Sequence, residues 1–261
     1  MKLKIYQVDA FTNKLFSGNP AAVCIIDKWL DYKLMQNIAL ENNLSETAFV
    51  VPNAGQFEIK WFTPTVEIDL CGHATLAAGH VIFNYTAYTG DEITFNSDKS
   101  GILKVKKDGN FLTLDFPVDE LKKVSPPEQL IKALEIEPIE CYRGRSDFLF
   151  VYASKSEIEN IHVDCSLMNG LEFRGLIITA KGKDVDFVSR FFAPGSGILE
   201  DPVTGSAHTS LTPYWSKKLH KKELTARQLS SRGGQLKCKL AGDRVLISGQ
   251  AVTYMIGELE I

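Results

Sequence analysis

Hydrophobic and polar residues alternate along many short stretches of the chain, with the period of two that places neighbouring side chains on opposite faces of a β-strand. Alternation, or an apolar run of strand length, predicts strands at residues 2–8, 21–26, 45–51, 57–62, 102–105, 111–116, 148–152, 176–180, 186–191 and 244–247. Helical spacing of apolar residues predicts helices at 31–42, 74–83, 128–134 and 207–218. Strands dominate without regular alternation with helices, so the pattern predicts a mixed α/β or α+β fold rather than a βαβ series.

A proline pair marks the expected domain boundary. Pro126 and Pro127 follow a strand-like segment that ends at Pro117, and a predicted helix comes next. This composition predicts a cut between residues 118 and 127, although a surface loop within one domain would carry the same prolines.

Two segments of the chain resemble each other. In the first, Phe62-Thr63-Pro64 precedes Gly72-His73-Ala74 at a predicted helix start. In the second, Phe192-Ala193-Pro194 precedes Gly205-Ser206-Ala207, with a short insertion between proline and glycine. Two such copies in one chain predict pseudo-symmetric halves.

Composition and charge restrict the class of partner. The 261 residues are 44% hydrophobic and 23% charged, with a net charge of -3 and a sequence pI near 6.0. No dense cluster of Lys and Arg could follow a phosphate backbone, so nucleic acid is not an expected partner. A small polar metabolite fits this composition better.

Cysteine usage and hydropathy bear on location. The five cysteines are scattered and form no CxxC pair, which argues against a disulfide framework or a structural zinc site. No continuous apolar stretch of membrane-spanning or secretory type is present in the sequence. We therefore expect a cytoplasmic protein without a membrane partner.

Gly72 and Gly205 are candidates for an anion site. Each precedes a predicted helix, and the unpaired N–H groups and partial positive charge of a helix start bind anions such as carboxylates. A plainer explanation also exists, because each glycine can serve only a tight turn and Ser206 can serve only as a helix cap. The repetition of the pattern favours binding.

Glu46 is the candidate acid/base. The strand pattern places it on the same face as Ala48 and Val50, where a charge is costly. Burial without a cationic partner would raise the pKa of Glu46 toward neutrality, which suits general acid/base chemistry. A solvated position at the exposed end of the strand agrees equally well with this segment.

Other candidate residues are less specific. His73 suits a donor, an acid/base or a core histidine, and Asp201 before Pro202 suits a turn as well as a site. Cys71 beside a helix start could be an acidified nucleophile. A metal site from Cys71, His73, His80 and Asp201 is not favoured, because no ligand spacing typical of metal sites occurs. Nucleotide-binding loops are also absent from the sequence, so no cofactor is expected.

Four motifs together resemble the PhzF (phenazine-biosynthesis) family, which is related to the diaminopimelate epimerases. They are Phe16-Ser17-Gly18-Asn19-Pro20-Ala21-Ala22-Val23, Asn43-Leu44-Ser45-Glu46-Thr47-Ala48-Phe49, Phe62-Thr63-Pro64 with Cys71-Gly72-His73-Ala74-Thr75, and Glu200-Asp201-Pro202-Val203-Thr204-Gly205-Ser206-Ala207. The set extends over most of the chain and is specific as a set.

The resemblance implies a diaminopimelate-epimerase-like α+β fold of two pseudo-symmetric domains, each a curved sheet around a central helix, with the active site in the cleft between them. The domains implied are residues 1–118, rejoined by the last strand at about 250–261, and residues 119–249. It also implies that Glu46 is the acid/base, with His73 and Asp201 as further catalytic residues. Backbone N–H groups near Gly72 and Gly205, with His73 and Ser206, would bind a substrate carboxylate.

Three functions remain open at this point. The first is a cofactor-independent isomerase that shifts a proton on a small, cyclic carboxylate; the second is an epimerase or racemase of an amino or hydroxy acid; the third is a non-catalytic carboxylate-binding protein. The related epimerases use two cysteines, one from each half, but the second half here has Val203-Thr204-Gly205 without a thiol. Pro213 should kink or shorten the helix after Ser206. The family also implies a homodimer as an assembly open to the chain.

Overall fold

The chain folds into two compact units. The computed structural model describes residues 1–168, 170 and 172–261. Contacts divide it into a first unit of Met1–Asp115 with Ser248–Ile261 and a second unit of Phe116–Ile247. The C-terminal strand therefore belongs to the first unit.

Most of the described elements are strands, both before and after the boundary between the two units. Before the boundary the chain forms β1 (Lys2–Ala10), β2 (Asn19–Ile25), α1 (Tyr32–Asn42), β3 (Glu46–Asn53), β4 (Gln56–Phe62), β5 (Glu67–Ile68), α2 (Gly72–Tyr85), β6 (Glu92–Ser97), β7 (Gly101–Asp108) and β8 (Phe111–Pro117). After the boundary it forms β9 (Lys122–Lys123), α3 (Glu128–Leu134), β10 (Glu140–Arg143), β11 (Asp147–Val151), α4 (Lys155–Asn160), β12 (Gly175–Lys181), β13 (Phe187–Phe192), α5 (His208–Leu219), β14 (Glu223–Gln228), β15 (Gly234–Ala241), β16 (Arg244–Gly249) and β17 (Ala251–Glu260).

Helix α2 is the buried helix of the first unit. It is apolar on nearly every side, which is the pattern of a core helix, and it packs against β1, β2, β3, β7 and β17. Small residues let the strands approach closely. A Cβ atom on Gly79 would lie only 2.9 Å from a methyl carbon of Val105, so the close packing of α2 on β7 depends on this glycine.

Helix α1 covers a second apolar cluster in the same unit. The side chain of Asp31 caps it by accepting hydrogen bonds from the N–H groups of Lys33 and Leu34, at 3.0 and 3.3 Å. Met35 and Ile38 then face a cluster built on strands β1, β2 and β3. The two helices thus bury different parts of the first unit.

The two units repeat one order of strand pairing. In the first, β2 pairs with β3 in parallel, β3 with β4 antiparallel, β4 with β6 in parallel and β6 with β7 antiparallel. In the second, β11–β12, β12–β13, β13–β14 and β14–β15 follow the same sequence of directions. Helices α2 and α5 stand at the same place in the two series. This repetition confirms the pseudo-symmetric halves predicted from the two similar segments.

The four predicted helices are present, and three of their starts differ from the prediction. Helix α1 starts at Tyr32, with Asp31 as its cap, and α2 starts at Gly72, two residues before the predicted start. The helix predicted from residue 207 begins at His208, because Gly205, Ser206 and Ala207 form a turn before it. The carbonyl group of each accepts a hydrogen bond from the N–H group three residues later, which is the 3₁₀ pattern. Pro213 does not shorten α5, which continues to Leu219. Proline removes one backbone hydrogen bond, and buried side chains on either side of it hold the helix in place.

Several elements were not predicted from the pattern. They are α4 and the strands β5, β6, β9, β10, β14, β15 and β17. The hydrophobic pattern did not predict β17, although a last strand that returns to the first domain was expected from the resemblance. Strand β15 does alternate buried and exposed positions, but lysines occupy its exposed face and lower its apparent hydrophobicity.

None of the helices in the described part of the chain combines the length and apolar character of a membrane span.

We expect the stability of the first unit to depend strongly on α2. Leu76 is fully buried in α2, whereas Leu40 on α1 is 55% exposed. Leu76→Ala should lower the free energy of unfolding by about 2–5 kcal/mol, because it leaves a cavity. Leu40→Ala, the same change on a helix surface, should alter it by less than about 0.5 kcal/mol. Urea denaturation followed by circular dichroism measures both, and equal losses would contradict the central role of α2.

Candidate active site in the first unit

Strand pairing brings three polar residues of the first unit to one edge. Strands β2 and β3 are parallel with Ala21 opposite Glu46, so their amino-terminal ends lie side by side. Asn19 begins β2 and Glu46 begins β3. Helix α2 begins at Gly72 and packs on both strands, which places His73 in its first turn beside them.

Glu46 and His73 form a buried pair. Oε2 of Glu46 lies 3.0 Å from Nε2 of His73, and each residue is only 5% exposed. The exposed strand end considered from the sequence is therefore wrong for Glu46. Oε2 nevertheless makes no hydrogen bond of acceptable geometry in the described structure, because its approach to the ring nitrogen is poorly aligned. The carboxylate thus has a charged neighbour and an oxygen left available.

Asn19 contacts the other nitrogen of the His73 ring. Its side-chain amide lies 3.1 Å from Nδ1. This separation suits either protonation state, because an amide N–H donates to a neutral ring and an amide oxygen accepts from a protonated one. Gly18 precedes Asn19 with a φ of 70° in a turn where a Cβ would meet the carbonyl oxygen of Ala10 at 2.2 Å. Asn19 is therefore fixed by a turn that requires glycine.

Cys71 completes the cluster. It precedes α2, and its Sγ lies 3.4 Å from Nδ1 of His73 and 4.0 Å from Nε2. Burial and the nearby Glu46 carboxylate raise the pKa of Cys71 to about 11, against the lowering effect of His73. The thiol is protonated at neutral pH, so the acidified thiol considered from the sequence is wrong, because burial outweighs the helix start.

The charge of His73 is stabilised by its neighbours. Burial alone would lower the pKa of His73, but the Cys71 sulfur beside Nδ1 and the Glu46 carboxylate beside Nε2 raise it well above its ordinary value. A cationic ring next to a carboxylate satisfies the charge requirement of a buried Glu46. Burial of Glu46 without a cationic partner, the condition considered from the sequence, is therefore not what the structure shows.

The start of α2 has the features of an anion site. Cys71 makes no side-chain cap hydrogen bond to the first turn. Gly72 is partly exposed, and it is not among the glycines with positive φ. A tight left-handed turn is therefore not the reason for this glycine, and N–H groups of the first turn lack their usual capping side chain.

In the second unit, Asp201 lies in a buried polar network. The hydroxyl of Thr204 donates to the Asp201 carboxylate at 2.5 Å. The Gln228 side chain accepts from the Thr204 N–H at 2.9 Å and donates to the Asp201 carbonyl at 2.7 Å. Gln228 ends β14, so the end of this strand fixes the turn that carries Asp201.

Gly205 and Ser206 follow this network in the turn before α5. Ser206 does not cap the helix, since Ala207 occupies the cap position and no side chain caps there. His208 donates from Nδ1 to the Thr204 carbonyl at 2.9 Å. Burial lowers the pKa of His208 to about 4, an effect that this hydrogen bond opposes, so the ring is neutral at neutral pH.

Of the four residues considered as metal ligands from the sequence, Cys71 and His73 lie close together, and Glu46 lies beside them. Ligand atoms of Glu46, Cys71 and His73 lie within 4.8 Å of one another. His80 lies farther along α2, where Nε2 is 2.9 Å from the Thr253 hydroxyl and burial lowers its pKa to about 4. Asp201 belongs to the network of the second unit.

Sequence reasoning missed three residues that the structure connects to the candidates. Asn19, Thr204 and Gln228 were given no role. Asn19 and Thr204 lie inside the motifs quoted above, so their motifs were a usable signal. Gln228 lies 24 positions after Thr204 in a strand that was not predicted, and no local pattern indicates the contact.

Comparisons with known proteins agree with this architecture. A family model described as phenazine biosynthesis-like protein (PhzC-PhzF) matches residues 8–257. An uncharacterized isomerase of Pseudomonas aeruginosa is 47% identical over 261 residues, covering 100% of both chains. The crystal structure of a PhzF-family protein from Enterococcus faecalis superposes with a TM-score of 0.97 at 45% identity, covering 100% of both chains.

A more distant structure extends the agreement in fold. A protein described as a predicted epimerase from Pseudomonas aeruginosa has a TM-score of 0.80 at 17% identity and covers 99% of each chain. At that identity the likeness concerns the fold alone. These comparisons confirm the predicted α+β class, with two similar halves each built around a helix.

Titration should distinguish the two buried histidines. Followed by NMR, the ring of His73 should change protonation well above pH 6.5, and that of His208 near pH 4. Glu46→Gln removes the neighbouring carboxylate, so it should lower the pKa of His73 and leave His208 unchanged. An unchanged midpoint for His73 in this variant would contradict the pair.

The same shifts predict opposite effects on stability. The protonated form of His73 stabilises the fold below its unfolded pKa of about 6.5, and this contribution is lost as pH rises through the folded value. Neutral His208 stabilises the fold above pH 6.5, and this contribution declines as pH falls toward 4.

Proposed function

We propose a specific reaction for this chain, which belongs to the phenazine biosynthesis-like (PhzF) family, as its four motifs predicted, and is an isomerase of that type. In this reaction a proton is shifted between two carbon atoms of a small cyclic carboxylate, with Glu46 as the acid/base. The observation that carries the proposal is the buried Oε2 of Glu46, which has no well-formed hydrogen bond. A buried carboxylate oxygen without a well-aligned hydrogen bond keeps a lone pair for a proton from carbon.

The step conserves atoms and charge. The Glu46 carboxylate removes a proton from one carbon, the electrons of that bond move through the adjacent double bonds, and the resulting carboxylic acid returns the proton to another carbon. No electron is gained or lost, so this step needs no redox partner.

His73 supports this role by its position. Its Nε2 lies 3.0 Å from the carboxylate, and the Asn19 amide holds the opposite nitrogen. A cationic ring at this distance stabilises the carboxylate between the two proton transfers and keeps it in one orientation. His73 in this account is an assisting catalytic residue.

Within the first unit, the substrate carboxylate is assigned to the first turn of α2, at Gly72 and His73, which lacks a side-chain cap and offers backbone N–H groups that suit a carboxylate. For the second unit by itself, anion binding is proposed at Gly205 and Ser206, in the turn before α5, whose cap residue Ala207 makes no side-chain cap hydrogen bond. Asp201, held by Thr204, is proposed as a further acid/base or orienting group.

An epimerase or racemase is the second candidate. One observation favours it, namely the Cys71 thiol 3.4 Å from His73 at the start of α2. Two observations weigh against it. Burial raises the pKa of Cys71 to about 11, and the matching segment of the second half, Val203-Thr204-Gly205, has no thiol. A non-catalytic carboxylate-binding protein would use the helix starts and leave Glu46 dispensable.

Glu46→Gln should separate chemistry from binding. Glutamine keeps the size of the side chain but cannot take up the proton, so we expect a loss of at least roughly a hundredfold in turnover with near-normal affinity for the acid. Turnover is measured as incorporation of deuterium from heavy water into cyclic or α-substituted acids, and affinity by calorimetry. Glu58→Gln, on β4 of the same unit, is the matched control and should retain activity. Near-normal turnover with intact binding would remove Glu46 from the mechanism.

Cys71→Ser should lose far less activity than Glu46→Gln does. The isomerase step uses one carboxyl group, whereas the thiol-based epimerase step requires the sulfur. The same deuterium assay compares the two variants at equal protein concentration. If Cys71→Ser loses activity as severely as Glu46→Gln, the epimerase becomes the better assignment.

A further inference from the structure

Three potential metal ligands meet in the first unit. One atom each from Glu46, Cys71 and His73 lies within 4.8 Å of the other two. Oε2 of Glu46 is 3.0 Å from Nε2 of His73, and that nitrogen is 4.0 Å from Sγ of Cys71. Carboxylate, imidazole and thiolate are all established ligands of zinc.

These separations fit a shared cation. Ligand atoms bound to a tetrahedral zinc ion at about 2.0–2.3 Å are about 3.3–3.8 Å from one another. The observed 3.0 and 4.0 Å lie on either side of this range, and the third pair, Oε2 of Glu46 and Sγ of Cys71, lies within 4.8 Å. Adjustments of up to about 1 Å in side-chain position would bring all three atoms into the range.

A second, independent observation is the unsatisfied oxygen. Oε2 of Glu46 is buried and makes no hydrogen bond of acceptable geometry, although the His73 ring is near. Ligands of one ion point at a common position and not at each other, which accounts for two close atoms without a hydrogen bond. The same orientation suits a substrate proton, so cation and substrate would compete for this oxygen.

Asn19 supplies the outer contact that such a site needs. A histidine that binds a metal through one ring nitrogen donates the other N–H to a fixed acceptor, which sets the tautomer. The Asn19 side-chain nitrogen Nδ2 lies 3.1 Å from Nδ1 of His73, so a rotation of the amide that exchanges its nitrogen and oxygen would let the oxygen accept this N–H while Nε2 faces Glu46. The residues retain 5–6% exposure, which leaves contact with solvent.

We propose that Glu46, Cys71 and His73 bind a zinc-type divalent cation, and that this cation inhibits the isomerase by occupying its base. The inhibitory part rests on the proposed function of Glu46. On binding, the Cys71 thiol and Nε2 of the protonated His73 ring each release one proton to solvent, and the freed sulfur and nitrogen each donate an electron pair to the cation. A thiolate in the set favours zinc, cobalt or cadmium over magnesium and calcium.

Cobalt(II) is the probe, because a cobalt–thiolate bond gives a charge-transfer absorption band that reports binding without any assay of activity. Chelator-treated protein titrated with cobalt should develop the band at one ion per chain, and zinc should displace it whereas magnesium should not. Cys71→Ser should abolish the band. Glu46→Gln should weaken cobalt binding by more than roughly tenfold. Cys165→Ser, a thiol of the second unit, is the matched control and should keep it.

The inhibition is then measured on the same preparations. Zinc should reduce turnover over the concentration range in which it displaces cobalt, and a chelator should restore it. A band that persists in Cys71→Ser, or no band at all, would refute the site. Activation by zinc would refute inhibition.

The two proposals fail in different ways. A band that depends on Cys71, together with turnover that is indifferent to Glu46→Gln, keeps the metal site but refutes the acid/base role and with it the inhibition. Absence of the band together with turnover that depends on Glu46 refutes only the cation site. Circular dichroism of each variant checks that the fold is retained.

Discussion

The candidate site depends on the parallel pairing of β2 with β3. Parallel strands present their amino-terminal ends at the same edge, and the register with Ala21 opposite Glu46 places Asn19 within reach of the same region. Strand β4 then returns antiparallel with Phe62 opposite Thr47, so the chain that leads to α2 departs from this edge. A slip of one residue in β3 would turn Glu46 to the opposite face of the sheet.

This arrangement carries an energetic cost that the core of the unit offsets. An unsatisfied buried polar group costs about 1–3 kcal/mol, and Oε2 of Glu46 is such a group. The apolar helix α2, packed on several strands, supplies the opposing stabilisation next to it. The cationic ring of His73 compensates the charge without forming a well-aligned hydrogen bond, and the oxygen therefore stays available to a ligand.

The two halves use the same strand order for different purposes. In the second unit, the carboxylate of Asp201 accepts the hydroxyl of Thr204, and Gln228 bonds to the backbone on both sides of this contact. In the first unit, the corresponding helix start has a histidine and a thiol beside a carboxylate oxygen without such a partner. The two halves thus share one order of strand pairing but differ in the polar groups beside the two helix starts, since Asp201 has a hydroxyl partner whereas Oε2 of Glu46 has no hydrogen bond of acceptable geometry.

The limits of sequence reasoning follow from the same distinction between local and distant contacts. Period-two alternation and the repeated Gly-containing segments are local, and they were enough to predict the α+β class and the pseudo-symmetric halves. The burial of Glu46 was undecided from its segment because a residue at a strand end is buried or exposed according to what packs there, and α2 begins 26 residues later. Asn19 between glycine and proline looks like an ordinary turn residue, and only the parallel register shows that its amide meets His73. The start of α5 was displaced from Ala207 to His208 because the Gly205 turn bonds in the tighter pattern of a 3₁₀ turn, which follows directly after the Thr204 and Gln228 contact. Local pattern therefore predicts which elements exist, whereas the chemistry of the site depends on which element ends the register brings together.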